Sequence, residues 1–238
     1  MGLILPRSGL SRRRLLQISG LSGMGVLMGG CGTSLFADRV GQTFEPLNQI
    51  VEEALLSQNP VPEFSSSAIE PDQLLINTFD MTPQLDPLQF RLTIDGEVGR
   101  PMQLSMADIQ AMPLTSMVIR HVCVEGWAAI VQWGGVRLQE LIQLAQPKPG
   151  ARYVYFKSAD GYYESWDLAS SVHPQTLMAY QKNGQPLPIE NGAPLRLAAP
   201  VKLGYKQSKW VTQITLVNEL LPTKGYWEDF GYEWFAGI

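Results

Sequence analysis

Residues 120–133, Arg-His-Val-Cys-Val-Glu-Gly-Trp-Ala-Ala-Ile-Val-Gln-Trp, set one cysteine, Cys123, in the middle of a buried-looking strand. Arg120, His121 and Glu125 surround it, and Trp127 and Trp133 follow. The chain has two cysteines in 238 residues, and the other, Cys31, reads as a processing site. Cys123 therefore has no evident disulfide partner, although the N-terminus reads as an export signal. A lone thiol in an oxidising compartment calls for a chemical reason. The reading favoured here is a soft thiolate that donates to a metal. Two others stand beside it. Cys123 is a small buried core residue, or it shares a zinc site with His121 and His173, whose spacing is loose.

The compartment is read from Ser11-Arg12-Arg13-Arg14-Leu15-Leu16-Gln17, a twin-arginine signal pattern. The uncharged run Ile18 to Gly30 is too short and too glycine-rich to span a bilayer, so it is the apolar part of a signal. It ends at Leu27-Met28-Gly29-Gly30-Cys31, which resembles a bacterial lipobox, with cleavage before Cys31 and lipid on its sulfur. The alternative is a plain secretory signal cut after Ala37. The twin-arginine route carries folded proteins, which suits a chain that receives a cofactor before export.

The first 30 residues hold four arginines and no acids; the rest has 14 basic against 22 acidic residues, a net charge of −8. A nucleic-acid partner would want a basic face, so that class is set aside. Residues 1–30 are expected to be signal, 31–70 a tether and 71–238 the folded domain. The tether holds an amphipathic helix candidate, Leu47 to Leu56, and a Pro/Ser-rich spacer, Pro60 to Ser67. Within the domain, Arg91 to Ile94 alternates and runs into Asp95-Gly96, a strand and tight turn. Ser105 with Asp108 forms an N-cap signature. Ser116 to Val124, Arg152 to Ser158 and Trp210 to Val217 read as strands. Gly135 precedes a helix with Leu138, Leu141, Ile142 and Ala145 on one face. Many strands with few short helices make an α+β domain. No GxGxxG or Walker loop is present, which argues against nicotinamide binding and nucleotide hydrolysis.

The run Arg120-x-x-Cys123-Val124-Glu125-Gly126-Trp127 resembles the molybdopterin domain of the sulfite oxidase superfamily, and within it the periplasmic methionine sulfoxide reductase catalytic subunits. Four further blocks, over about residues 74–218, carry the likeness. They are Asn77-Thr78-Phe79-Asp80, Ser158 at a strand end, Asn191-Gly192-Ala193-Pro194-Leu195-Arg196, and Pro200-x-Lys202-x-Gly204-Tyr205-Lys206-Gln207-Ser208-Lys209-Trp210. The resemblance implies a strand-rich sulfite-oxidase-type fold and one molybdenum held by one pterin, with Cys123 as the protein ligand. Arg196, Lys209 and the backbone amides near Gln207 and Ser208 would meet the pterin's phosphate. Asn77, Ser158 and Asn191 would bond its polar edge; family members often have His at the Asn191 position. Tyr162 and Arg120 would face or orient the substrate.

The implied activity is two-electron oxygen-atom transfer, with reduction of a sulfoxide such as methionine sulfoxide foremost. Oxidation of a small sulfur anion and a metal-free binding lipoprotein are the alternatives. The chain lacks a haem domain, the family's added dimerisation domain and a Cys-x-x-Cys-His motif. The expectation is therefore a monomer, held at the membrane only by lipid, that exchanges electrons with a separate protein. The aromatic tail, Tyr226, Trp227, Phe230, Tyr232, Trp234 and Phe235, is expected to pack onto the domain, with a partner-docking patch as the alternative.

Overall fold

A computed structural model describes residues 51, 55, 56 and 58–238. The signal and lipobox, and most of the Leu47–Leu56 helix candidate, lie outside the described residues. In chain order the strands are β1 (Arg91–Gly96), β2 (Met102–Ser105), β3 (Thr115–Val122), β4 (Ala128–Arg137), β5 (Tyr153–Ser158), β6 (Tyr163–Asp167), β7 (Leu177–Lys182), β8 (Gln185–Pro186), β9 (Arg196–Ala198) and β10 (Val211–Val217). The short helices are α1 (Met106–Gln110), α2 (Leu138–Leu144) and α3 (Leu168–Ser171). One five-stranded sheet runs β2-β1-β10-β5-β6, with β1 and β10 parallel. The other runs β3-β4-β7-β8, with β9 also paired to β7. This is the α+β class expected.

Alternation decides what is buried. Leu92 and Ile94 of β1, Val154 and Phe156 of β5, and Ile214 and Leu216 of β10 point inward and are fully buried. Each such side chain contributes about 1.5–3 kcal/mol. Leu138, Leu141 and Ile142 of α2 pack into the same core. A second cluster lies on the other sheet, where Met117, Ile119, Val131 and Trp133 meet Leu177 and Ala179. The Ser105 capping box forms as expected, with Ser105 Oγ accepting from the Asp108 amide and Asp108 accepting from the Ser105 amide.

Gly135 precedes α2 as read, and it lies inside β4, where the backbone of β7 passes against it; a Cβ there would sit 2.1 Å from the Met178 carbonyl oxygen. Two local readings change. β3 stops at Val122, because the chain turns over Cys123–Gly126, with Gly126 at φ +90°. Cys123 thus sits at the tip of the β3–β4 hairpin and not in mid-strand. The Pro/Ser-rich end of the expected tether is part of the domain. Phe64 donates to the Val118 carbonyl at 2.9 Å and Glu70 to that of Ile130 at 2.9 Å, while Val61 and Gln175 bond each other in both directions. The Phe64 bond covers the free edge of β3, and the Glu70 bond covers β4 at Ile130.

Candidate active site

The β3–β4 hairpin tip opens on a cavity of about 360 Å³. Cys123 lines it, held by backbone bonds from its own amide to Trp127 (2.9 Å) and from Gly126 to its carbonyl (3.1 Å). The Glu125 carboxylate ties the turn together. It accepts from Asn77 Nδ2 and Trp127 Nε1, both at 2.9 Å, and lies 3.7 Å from Cys123 Sγ. The Asn77 bond, then that from Trp127, lowers the Glu125 pKa and keeps it ionised. Burial pushes the Cys123 thiol up, so without a metal it stays protonated. A metal cation would displace that proton and take the thiolate. His121 forms the wall behind. Burial, and then the Arg196 charge, push it down to about 3, so it is neutral. Its Nδ1 is buried with no hydrogen-bond partner. The 3-10 turn Gly204–Lys206 passes so close that a Cβ on Gly204 would lie 2.9 Å from His121 Nε2.

The same cavity holds two cations that form no salt bridge among the described residues; the Asp160 and Glu190 charges act on Lys209 without a direct bond. Arg196, buried at the start of β9, donates to the carbonyls of Leu197 (3.0 Å), Asn191 (2.9 Å) and Gln207 (3.3 Å), and its guanidinium lies 4.6 Å over the Trp133 ring. Three of its five N–H groups are spent this way. Burial lowers its pKa to about 9, which leaves it charged at neutral pH. Lys209 donates to the carbonyls of Asn77 (2.5 Å) and Glu190 (3.0 Å) and sits over Trp210. Burial, and then Arg196, push it down to about 8. Gly192, at φ +110°, lets the Asn191–Arg196 loop pass between them; a Cβ there would lie 2.9 Å from Lys209 Cβ and 3.1 Å from Arg196 Cβ. Beside them Ser208 Oγ is buried without a partner.

The cavity gathers Cys123, Asn77, Tyr162, Asn191, Arg196, Gln207, Ser208 and Lys209, eight of the ten residues expected at the site. Ser158 stands just outside. Its amide donates to the Tyr162 carbonyl at 2.9 Å, which closes the β5–β6 turn, and its Oγ is buried without a partner. Arg120 does not line the cavity. It points to the outer face of β3 and lies 5.2 Å over the Phe64 ring, because strand alternation puts it opposite His121. The Gln207 and Ser208 amides are not free for a phosphate either: they donate to the carbonyls of Gly204 (3.0 Å) and Lys206 (3.3 Å). Ser208 Oγ is the donor that remains at that corner.

Tyr162 faces the cavity while its hydroxyl donates to the Tyr205 carbonyl at 2.7 Å. Burial raises its pKa far above the usual phenol range. The zinc reading finds no support, since no three His, Cys, Asp or Glu side chains among the described residues converge on a metal site. His121, which the sequence offers as a zinc ligand, and Glu125, to which it gives no role, both line the cavity, as do Tyr226, Trp227 and Tyr232 of the tail. Only tertiary packing brings these in. The donor set suits a phosphorylated, thiolate-ligated cofactor, with one soft sulfur at one end and two uncompensated cations and an idle hydroxyl at the other.

Residues 79–227 match the family described as oxidoreductase molybdopterin binding domain, and the chain belongs to that family. It is similar to a putative protein-methionine-sulfoxide reductase subunit of Azospira oryzae, 40% identical over 66% of this chain and 60% of the relative. Catalytic subunits of protein-methionine-sulfoxide reductases from Burkholderia mallei and Campylobacter jejuni are each 32% identical, over 92% and 63% of this chain and 73% and 56% of their own lengths. The chain thus spans less than two thirds of two of these three relatives. In fold it is like the sulfane dehydrogenase SoxCD of Paracoccus pantotrophus, with a TM-score of 0.55, 23% identity, and coverage of 58% of this chain and 40% of that one.

Proposed function

We propose that the chain is an exported molybdenum–molybdopterin oxidoreductase that reduces sulfoxides, including methionine sulfoxide in polypeptides. A separate, membrane-bound electron-transfer protein supplies the electrons. The observation that carries this is the pairing, in one cavity, of the Cys123 thiol with the uncompensated Arg196 and Lys209 charges. A buried cation without an anion is costly, and a phosphate supplies that anion. When bound, the cofactor supplies a two-electron change at one metal and moves one oxygen atom. The protein's residues do the rest. Cys123 gives its thiolate, and Glu125 fixes the turn that aims it. Arg196, Lys209 and Ser208 Oγ take the phosphate. Asn77 and Asn191 present amides to the pterin edge.

The mouth supports a neutral sulfoxide over a sulfur anion. Ionised Glu125 lines the cavity, and Asp160 adds a second carboxyl there, close enough to act on Lys209. Tyr226, Trp227 and Tyr232 offer aromatic surface to a sulfur-bearing side chain. Reducing one sulfoxide takes two electrons and two protons and releases one water. Tyr162 keeps its proton, so it serves as a hydrogen-bonding group once it turns from the Tyr205 carbonyl. Arg12, Arg13 and Cys31 support export and lipid anchoring on the periplasmic side of the cytoplasmic membrane.

The test is to produce the chain in a molybdopterin-making host and assay molybdenum, pterin and dye-linked reduction of N-acetylmethionine sulfoxide. One metal and one pterin per chain, with turnover, are expected. Absence of molybdenum, or oxidation of sulfite without sulfoxide reduction, overturns the reading. Cys123→Ala is expected to keep its pterin and lose more than about 100-fold in turnover, since even ligand-supporting residues cost 10–100-fold.

A further inference from the structure

We propose that Glu164, Lys206 and Glu228 form a proton-sharing latch that positions the C-terminal arch, residues 224–235, as one wall of the active-site cavity. The inference rests on the cavity being the active site. Lys206 Nζ donates to Glu164 Oε1 at 2.6 Å, to the Ser165 carbonyl at 3.1 Å and to Glu228 Oε1. All three side chains are sealed from water, at 1% exposure or less. Two carboxylates and one ammonium leave one negative charge in a dry site, which is costly. One proton held between the carboxyls makes the group neutral. The geometry provides for it. Glu164 Oε2 and Glu228 Oε2 are each buried with no hydrogen-bond partner, so either has an idle lone pair for a proton. Both carboxyls crowd the Gly225 backbone, where a Cβ would lie 2.1 Å from Glu228 Oε2 and 2.7 Å from Glu164 Oε1. Burial pushes the Glu164 pKa well above the carboxylate range.

The other groups around the latch do not supply the missing positive charge. Lys202 is committed to Asp167 at 3.0 Å. Tyr155, Tyr162 and Tyr205 bring phenols, each with a raised pKa, and Tyr163 is bonded to Asp229, a further carboxylate.

The latch bears on the cavity through short links. Tyr205, next to Lys206, accepts the Tyr162 hydroxyl on its carbonyl and donates its own hydroxyl to the Glu233 carbonyl at 2.5 Å. Tyr226 and Trp227, just before Glu228, line the mouth. Glu164, Lys206 and Glu228 touch no substrate, so they are positioning residues. A carboxyl with a raised folded pKa stabilises the fold below the ordinary carboxylate range, and that stability is lost as pH rises through its folded value. The arch should therefore loosen at high pH.

Glutamine mimics a protonated carboxyl, so the substitutions separate the charge states. In molybdenum-loaded enzyme, Glu164→Gln or Glu228→Gln alone should keep the KM for N-acetylmethionine sulfoxide within about twofold and remove the pH-dependent loosening. The Glu164→Gln/Glu228→Gln pair strands the Lys206 charge and should raise KM by about tenfold or more, with kcat and pterin content nearly unchanged. Adding Lys206→Met to that pair should restore KM. Limited proteolysis of the arch should follow the same order. It reads the latch even in a protein that reduces no sulfoxide, so failure of the substrate assignment stays distinct. Single Gln variants that loosen the arch like the double variant, or a double variant like wild type, overturn the proposal.

Discussion

The loop from Val201 to Trp210 carries two kinds of cation, the first fully buried and the second partly so. Lys202 and Lys206 sit on carboxylates: Asp167 for the first, Glu164 and Glu228 for the second. Lys209, three residues further, and its neighbour Arg196 donate to backbone carbonyls. A carbonyl satisfies an N–H but does not neutralise a charge. The first pair is complete within the chain and fastens β6, the 3-10 turn and the C-terminal arch together. The second pair forms no salt bridge among the described residues and is the one proposed to take an anion from outside. Charge compensation thus separates lysines that shape the site from those that bind, although all four cations lie close in sequence.

Breaking the compensated pair should have the largest effect on stability. Lys206→Ala leaves two buried carboxyls without their cation, and removing one partner of a buried pair costs about 3–5 kcal/mol. Chemical denaturation of the apo protein should show a lower midpoint with little change in slope. An unchanged midpoint would mean that the latch contributes nothing to the fold.

Breaking the uncompensated pair should leave the apo fold largely intact and weaken the cofactor. Arg196→Ala removes a charge-assisted contact worth about 1.5–3 kcal/mol, roughly a ten- to hundredfold change in affinity. Pterin content after dialysis checks it, and a variant that keeps full occupancy would place the phosphate elsewhere.

The parts of the site that could be read from the sequence were those whose chemistry is unusual for their setting. A lone thiol beside an export-like signal marks Cys123 from the residues alone, whereas Arg196 and Lys209 are marked only by the resemblance of the Asn191–Arg196 and Pro200–Trp210 blocks to the family. Glu125, His121 and the arch were hidden, because their roles depend on distant partners such as Asn77, Arg196 and Glu164. Arg120 faces away from the cavity by a rule the sequence itself contains, since alternation along β3 puts it on the face opposite His121, which lines the cavity. The Pro/Ser-rich stretch near Phe64 looked like spacer because composition does not reveal backbone pairing to an exposed strand edge.

A smaller effect tests the uncompensated pair by pH. Burial, and then the Arg196 charge, hold Lys209 at about 8 in the free protein. The phosphate binds the charged ammonium, so above that pH the protein must first take up a proton. Cofactor affinity should then fall by up to about tenfold per pH unit above 8, and stay flat below it. Lys209→Arg keeps its charge and should flatten the profile. A profile equally steep in the Arg variant would assign the titration to another group.

The smallest effect is expected at Arg120, the one proposed catalytic residue that the fold turns away from the cavity. Its exposed guanidinium over the Phe64 ring is worth about 0.5–1 kcal/mol. Phe64 belongs to the segment that covers the edge of β3, so Arg120→Gln should loosen that segment slightly. Hydrogen exchange at the Phe64 amide, bonded to the Val118 carbonyl, should rise severalfold, in keeping with that energy. Molybdenum content, kcat and KM should not move, because no link from Arg120 reaches the Cys123 turn except through the strand backbone. A kcat reduced tenfold at full molybdenum content would return Arg120 to the reaction. It would then show that the outer face of β3 carries a second route to the hairpin tip.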